Sequence, residues 1–229
     1  MSKAISGEAT IKHKSGNFVR RINNTFEEII HNFKSKDIMR ISIATGSSGI
    51  LDKYINNRQK EIVSKYISGK MPGYVLDAGM GAGRWTDFFC NRSREEIGVD
   101  VSCEMINVAK NNVKNENASF IICSNTYLPF KDNTFDLSFC CFSLLYLIPM
   151  IDFNKATEEL VRVTKMSGSI IVIDITSRKP ALSDLMLRRT SLQYITAFSM
   201  HGATLEHIHG YYIDSVSYTH LTLPTIYSV

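Results

Sequence analysis

The sequence predicts an α/β protein: a Rossmann-like, doubly wound, mostly parallel sheet with an N-terminal helical extension. Three observations carry this. From Tyr74 onward, short β-branched or aromatic runs alternate with longer amphipathic ones, the pattern of parallel strands joined by helices. One of those runs, Val75-Leu76-Asp77-Ala78, passes directly into Gly79-Met80-Gly81-Ala82-Gly83 and then into a helical segment. The next run, Ile97-Gly98-Val99-Asp100, ends in a carboxylate one strand-helix unit later.

Taken in order, residues 1–70 read as an N-terminal helical segment, expected to cap the substrate. Phe26, Ile29, Ile30 and Phe33 recur at helical spacing, a second helical stretch runs from Leu51 to Ile67, and IATGSSGI connects the two. Residues 71–176 form the predicted core, with strands at about 74–78, 95–100, 118–123, 135–141 and 169–175. Helices are expected at about 84–91, 103–115 and 153–164. Residues 177–215 should add a helix at about 181–198 and a partial C-terminal strand at about 203–213. The last segment, VSYTHLTLPTIYSV at 216–229, resembles a translated transposon-end sequencing adapter. It is expected to be a non-native tail outside the core, with the natural frame cut near Ser215 and the C-terminal end of the sheet truncated.

Composition narrows the function classes. The chain of 229 residues is 44% hydrophobic and 21% charged, and no apolar run approaches the roughly 20 residues of a membrane span. The polar start MSKAISGEATIKHKSGN has no secretory pattern, so a cytoplasmic protein without a membrane span is expected. The odd number of cysteines, five without a CxxC pair, argues for reduced thiols rather than a disulfide framework or metal site. A net charge of +4 neither demands nor excludes a nucleic-acid or protein substrate, and a small molecule is the expected one.

The chemistry concentrates at two turns. Glycines after a buried strand permit positive φ and let a ligand approach the backbone. A dinucleotide site wants G-x-G-x-x-G, but here Arg84 stands where the third glycine would allow close packing near a pyrophosphate. Asp77, just before the glycines, would repel a diphosphate and suits a cationic ligand. Asp100 can accept both hydroxyls of a ribose diol; its bland alternative, capping the next helix, falls equally well to Ser102.

The segments VLDAGMGAGRW, IGVDVSCEMINVAK, LPFKDNTFDLSFCCFSLLYL and EELVRVTKMSGSIIVID, in this order from Tyr74 to Thr176, resemble the class I S-adenosylmethionine-dependent methyltransferases. The resemblance is to the broad small-molecule branch that includes ubiquinone-biosynthesis-type enzymes. It implies S-adenosylmethionine as cofactor and methyl transfer by in-line displacement to an unidentified acceptor. It places the methionine part at Asp77, Gly79, Gly81 and Gly83, the ribose at Asp100, apolar contacts at Val101 and Met105, and the Cys141 carbonyl near the methionine amino group. The family often has Gly-Asp where this chain has Cys123-Ser124, so Ser124 or Asn125 would have to meet the adenine amino group. Met166 to Ser169 stand in place of a common Pro-Gly-Gly turn, and Asp136 reads as structural. Tyr146, His201, His207 and His209 are candidate bases, none of which the sequence selects. Tyr54, Arg58, Tyr194 and Phe198 are pocket candidates that packing explains as simply. An NAD-dependent oxidoreductase and a non-catalytic cofactor-binding module stay open as alternatives.

Overall fold

A computed structural model describes residues 49–68, 71–182, 186–211 and 221–228. The predicted helical stretch around Phe26 to Phe33 lies outside the described residues. Helix α1 (Gly49–Ile67) precedes β1 (Tyr74–Ala78), α2 (Arg84–Cys90), β2 (Glu95–Asp100), α3 (Cys103–Asn112), β3 (Ala118–Ile122) and β4 (Phe135–Cys141). A short 3-10 turn (Leu144–Tyr146), α4 (Met150–Val163) and β5 (Thr164–Ile175) follow. The chain continues through β6 (Ala181–Leu182), β7 (Leu187–Arg188), α5 (Ser191–Met200), β8 (Thr204–Tyr211) and β9 (Leu221–Ser228).

The main sheet has the order β3-β2-β1-β4-β5-β9-β8. Its first five strands pair in parallel, and β9 pairs antiparallel with both β5 and β8. Strand alternation explains the double layer. Leu76, Ala78, Cys140, Ile170 and Val172 join Phe153, Leu160 and Phe198 on one face. Val75, Phe139, Ile171 and Ile173 join Val63, Trp85 and Phe89 on the other. Two-sided burial is what parallel strands need and why they read as continuous apolar runs.

Helix ends follow local chemistry. Gly83, at φ 81°, turns the chain into α2, and a side chain there would collide with Val113 and Ala109 of the α3 region. Ser102 caps α3 by accepting from the Met105 N–H. Thr190 and Gln193 form a reciprocal capping box at the start of α5.

Three expectations need correction. The helix expected over 181–198 begins only at Ser191, because β6 and β7 first form a small antiparallel pair and the Thr190 cap sets the helix start. The Met166–Ser169 turn is absorbed into β5, which starts at Thr164; the register jumps there, with Phe135 opposite Thr164 but Leu137 opposite Ser169. Leu221–Ser228 of the expected outlying tail forms β9 inside the sheet. Its alternating Leu-Thr-Leu and Thr-Ile-Tyr have strand character, and Leu223-Pro224 falls where the register shifts against both neighbours. A bulge is where a strand tolerates a residue without an N–H.

Candidate cofactor cleft

The strand order reverses between β1 and β4, so a crevice opens beyond the carboxyl ends of β1, β2 and β4. The glycine turn fills its floor. The Gly79 and Met80 N–H groups donate to the Val99 carbonyl at 2.8 and 2.9 Å, tying the turn to the end of β2. Gly79 has φ 74°, and a Cβ there would lie 2.1 Å from the Ser143 hydroxyl, so the turn touches the segment after β4. Asn125, buried, donates from Nδ2 to Ser143 Oγ at 2.9 Å and closes the contact from the β3–β4 connection.

Asp77 and Asp100 are brought to the two sides of this turn. Asp77 is buried and accepts from Thr86 Oγ1 at 2.8 Å. Burial pushes its carboxyl up to about 7, against the lowering effects of the Thr86 bond and the Arg84 charge. Asp100 Oδ2 accepts from the Gly81 N–H at 2.9 Å and Oδ1 from the Ser102 N–H at 2.9 Å. Burial raises its pKa too, and those backbone donors oppose the rise. A carboxylate oxygen has lone pairs left after one such bond, so both can still accept from a diol.

The remaining sequence candidates divide. Val101 is 52% exposed beside Asp100, whereas Met105 is buried in the packing of α3. The Ser124 hydroxyl is engaged with Thr126, 2.8 Å from its Oγ1 and 3.2 Å from its N, in a turn closed by the Ser124–Tyr127 bridge. Cys141 ends β4, and its thiol takes a 3.3 Å hydrogen bond from Arg84 Nη2. Asp136 is structural: it accepts from the Tyr74 N–H at 2.8 Å and pairs with Lys165 at 2.7 Å.

The candidate bases lie apart. Tyr146 follows β4, but burial and then Asp174 push its phenol up to about 12, so it stays protonated at neutral pH. His207 and His209 sit on β8 against Tyr66, three strand spacings from β4, or about 14 Å. His201 closes the C-terminus of α5. Of the pocket candidates, Tyr194 and Phe198 are buried in the core, Arg58 pairs with Glu61, and Tyr54 is exposed. Sequence reasoning missed Thr86 and Ser143. Their signals were a hydroxyl one turn into the helix after the glycines and a small polar residue two places beyond β4.

This donor set fits S-adenosylmethionine: side-chain-free backbone where the ligand must pass, a buried carboxyl beside it and an acceptor at the tip of β2. A family model described as a methyltransferase domain matches residues 75–168. A demethylmenaquinone methyltransferase of Paenarthrobacter aurescens is 31% identical over 117 residues, covering 51% of this chain and 44% of the relative. An uncharacterised methyltransferase of Bacillus subtilis is 35% identical over 103 residues, covering 44% and 40%. The chain thus spans less than half the length of these curated relatives. Among solved structures, a Pyrococcus horikoshii protein superposes with a TM-score of 0.65 at 21% identity, covering 86% of this chain and 99% of that one. A magnesium protoporphyrin IX methyltransferase from Synechocystis, with S-adenosylmethionine bound, gives 0.65 at 15% identity, covering 90% and 97%. Likeness at such identities speaks to fold, and the methyltransferase-domain model matches the segment that holds the glycine turn, Asp77 and Asp100.

Proposed function

We propose that the protein transfers a methyl group from S-adenosylmethionine to a small-molecule acceptor. The carrying observation is Asp100, whose two oxygens hold the glycine turn and the start of α3 while sitting at the tip of β2. The chemistry supplied there by S-adenosylmethionine is a methyl group on a sulfonium, an electrophile that needs no covalent enzyme intermediate. The chain's part is to bind and orient. Asp100 accepts from the ribose, the turn at Gly79–Gly83 gives backbone access, and Asp77 offers a carboxyl to a cationic ligand. Orientation of this kind supplies on the order of 7–11 kcal/mol in favourable cases. A small acceptor is favoured by relatives named for demethylmenaquinone methylation.

The test is titration of wild type, Asp100→Ala and Asp100→Asn with S-adenosylmethionine and S-adenosylhomocysteine, with NAD as control. Asp100→Ala should weaken adenosyl ligands by about thirty-fold to several-hundred-fold, on the order of 2–4 kcal/mol. Asp100→Asn should recover part of the loss. Equal affinities of the three proteins for the adenosyl ligands, or tighter binding of NAD, would overturn the methyltransferase reading at this site, and NAD preference would favour the oxidoreductase one. Binding without transfer of labelled methyl to any metabolite, protein or nucleic-acid fraction would favour a non-catalytic module.

A further inference from the structure

His207 and His209 lie two residues apart on β8, so both side chains leave the strand on one face. That face meets the last turn of α1. The Tyr66 ring lies 5.1 Å from the His207 ring and 5.3 Å from the His209 ring, centre to centre, and the Tyr66 hydroxyl is hydrogen-bonded to His209 Nε2. Tyr66 is half-buried and packs against the core around Val63 and Phe89, so its ring is held from behind. His207 is exposed and His209 half-buried, which leaves the cluster open to an ion from solvent. A ring stack and one hydrogen bond need only one of the two histidines. The second imidazole turns the contact into a donor set.

Imidazole nitrogen is the commonest protein ligand for metals, and residues two apart on a strand stand about 7 Å from each other, a span that two imidazoles close onto one ion. The pair by itself supplies only two donors. Among the described residues no His, Cys, Asp or Glu completes it to three, and the oxygen already at His209 is the Tyr66 phenol. We propose that His207, His209 and Tyr66 form a site for a divalent transition ion of the zinc or copper type, bound through two imidazole nitrogens and the phenolate oxygen. As the metal–oxygen bond forms, the phenol proton passes to solvent, so the ion takes the place of the proton between Tyr66 and His209. Three protein donors leave a further position to water. The ion ties α1 to β8, joining residues 143 positions apart. It is a structural cross-link, because β9 and β5 stand between β8 and the cleft strands, and it is independent of the cofactor reading.

The experiment titrates the full chain, purified without an affinity tag and stripped with EDTA, with Zn(II) and with Cu(II) at about pH 8, where imidazoles are neutral. Calorimetry in two buffers of different ionisation enthalpy counts the protons released. Wild type should bind one ion per chain with loss of about one proton. Zn(II) should raise Tm, and EDTA should reverse the rise. Cu(II) should bring a visible phenolate-to-copper charge-transfer band. Tyr66→Phe keeps the ring against the core and should bind about tenfold or more weakly, with no band and no proton released; His207→Ala should weaken binding as much. A wild type that takes up neither ion, or an affinity unchanged by both substitutions, overturns the site and leaves a stacked tyrosine only. Binding by wild type without proton release or the band overturns the phenolate ligand and the three-donor site with it. The wild-type titration, proton count and spectrum stand even where a variant fails to fold.

Discussion

At the scale of single residues, buried carboxyls set how the protein responds to pH. Asp77 and Asp174 are both pushed up to about 7, first by burial, with relief from hydrogen bonds given by Thr86 and Tyr194. Tyr194 donates to Asp174 at 2.6 Å. In the unfolded chain each carboxyl titrates near 4, so between about pH 4 and 7 the folded protein keeps protons the unfolded chain has released. Their contribution to stability is therefore full below about pH 4 and is lost as pH rises through about 7. The slope is at most about 1.4 kcal/mol per pH unit for each group. Asp174→Asn, which still accepts from Tyr194 but cannot ionise, should flatten the fall of Tm between about pH 5 and 8. Thermal melts of the two proteins across that range check it, and parallel curves would mean that Asp174 is ionised in the folded state.

At the scale of elements, the connection between β3 and β4 has no helix of its own and depends on α4. Arg162 donates to the Leu128 carbonyl at 3.0 Å and to the Phe130 carbonyl at 2.8 Å, and pairs with Glu159 and Asp132. Glu159 in turn accepts from the Leu128 N–H at 2.7 Å. This clamp holds the segment that delivers Asn125 to Ser143 and the glycine turn. Arg162→Gln should lower stability by about 1–3 kcal/mol, since Glu159 and two carbonyls lose a charged partner. It should also weaken S-adenosylhomocysteine binding several-fold although Arg162 lies outside the cleft. Thermal melts and calorimetry on the same preparation measure both, and an unchanged affinity would show that the connection is held without the clamp.

At the scale of the whole molecule, the sheet is completed by the segment whose sequence looks least native. β9 separates β5 from β8 and pairs with each along most of its length. Deleting residues 216–229 should then expose the edge of β5, lower Tm markedly and promote aggregation. Melting and light scattering of the trimmed chain decide this, and an unchanged Tm would restore the expectation of an outlying tail. The sequence by itself determined the five parallel strands, the glycine turn and the placing of Asp77 and Asp100. These rest on local causes: apolar runs of strand length, glycines at positive φ and a carboxylate at a strand end. Ser102 as a cap was legible for the same reason. Only the tertiary structure decided that Ser143 and Asn125 meet Gly79, that the Ser124 hydroxyl turns into its own loop, and that the candidate histidines on β8 stand strands away from the cleft. It also decided that Arg84 is buried among neutral partners and that Leu221–Ser228 enters the sheet. Such pairings join residues far apart in the chain, and side-chain periodicity carries no record of which distant strand or loop will supply the partner.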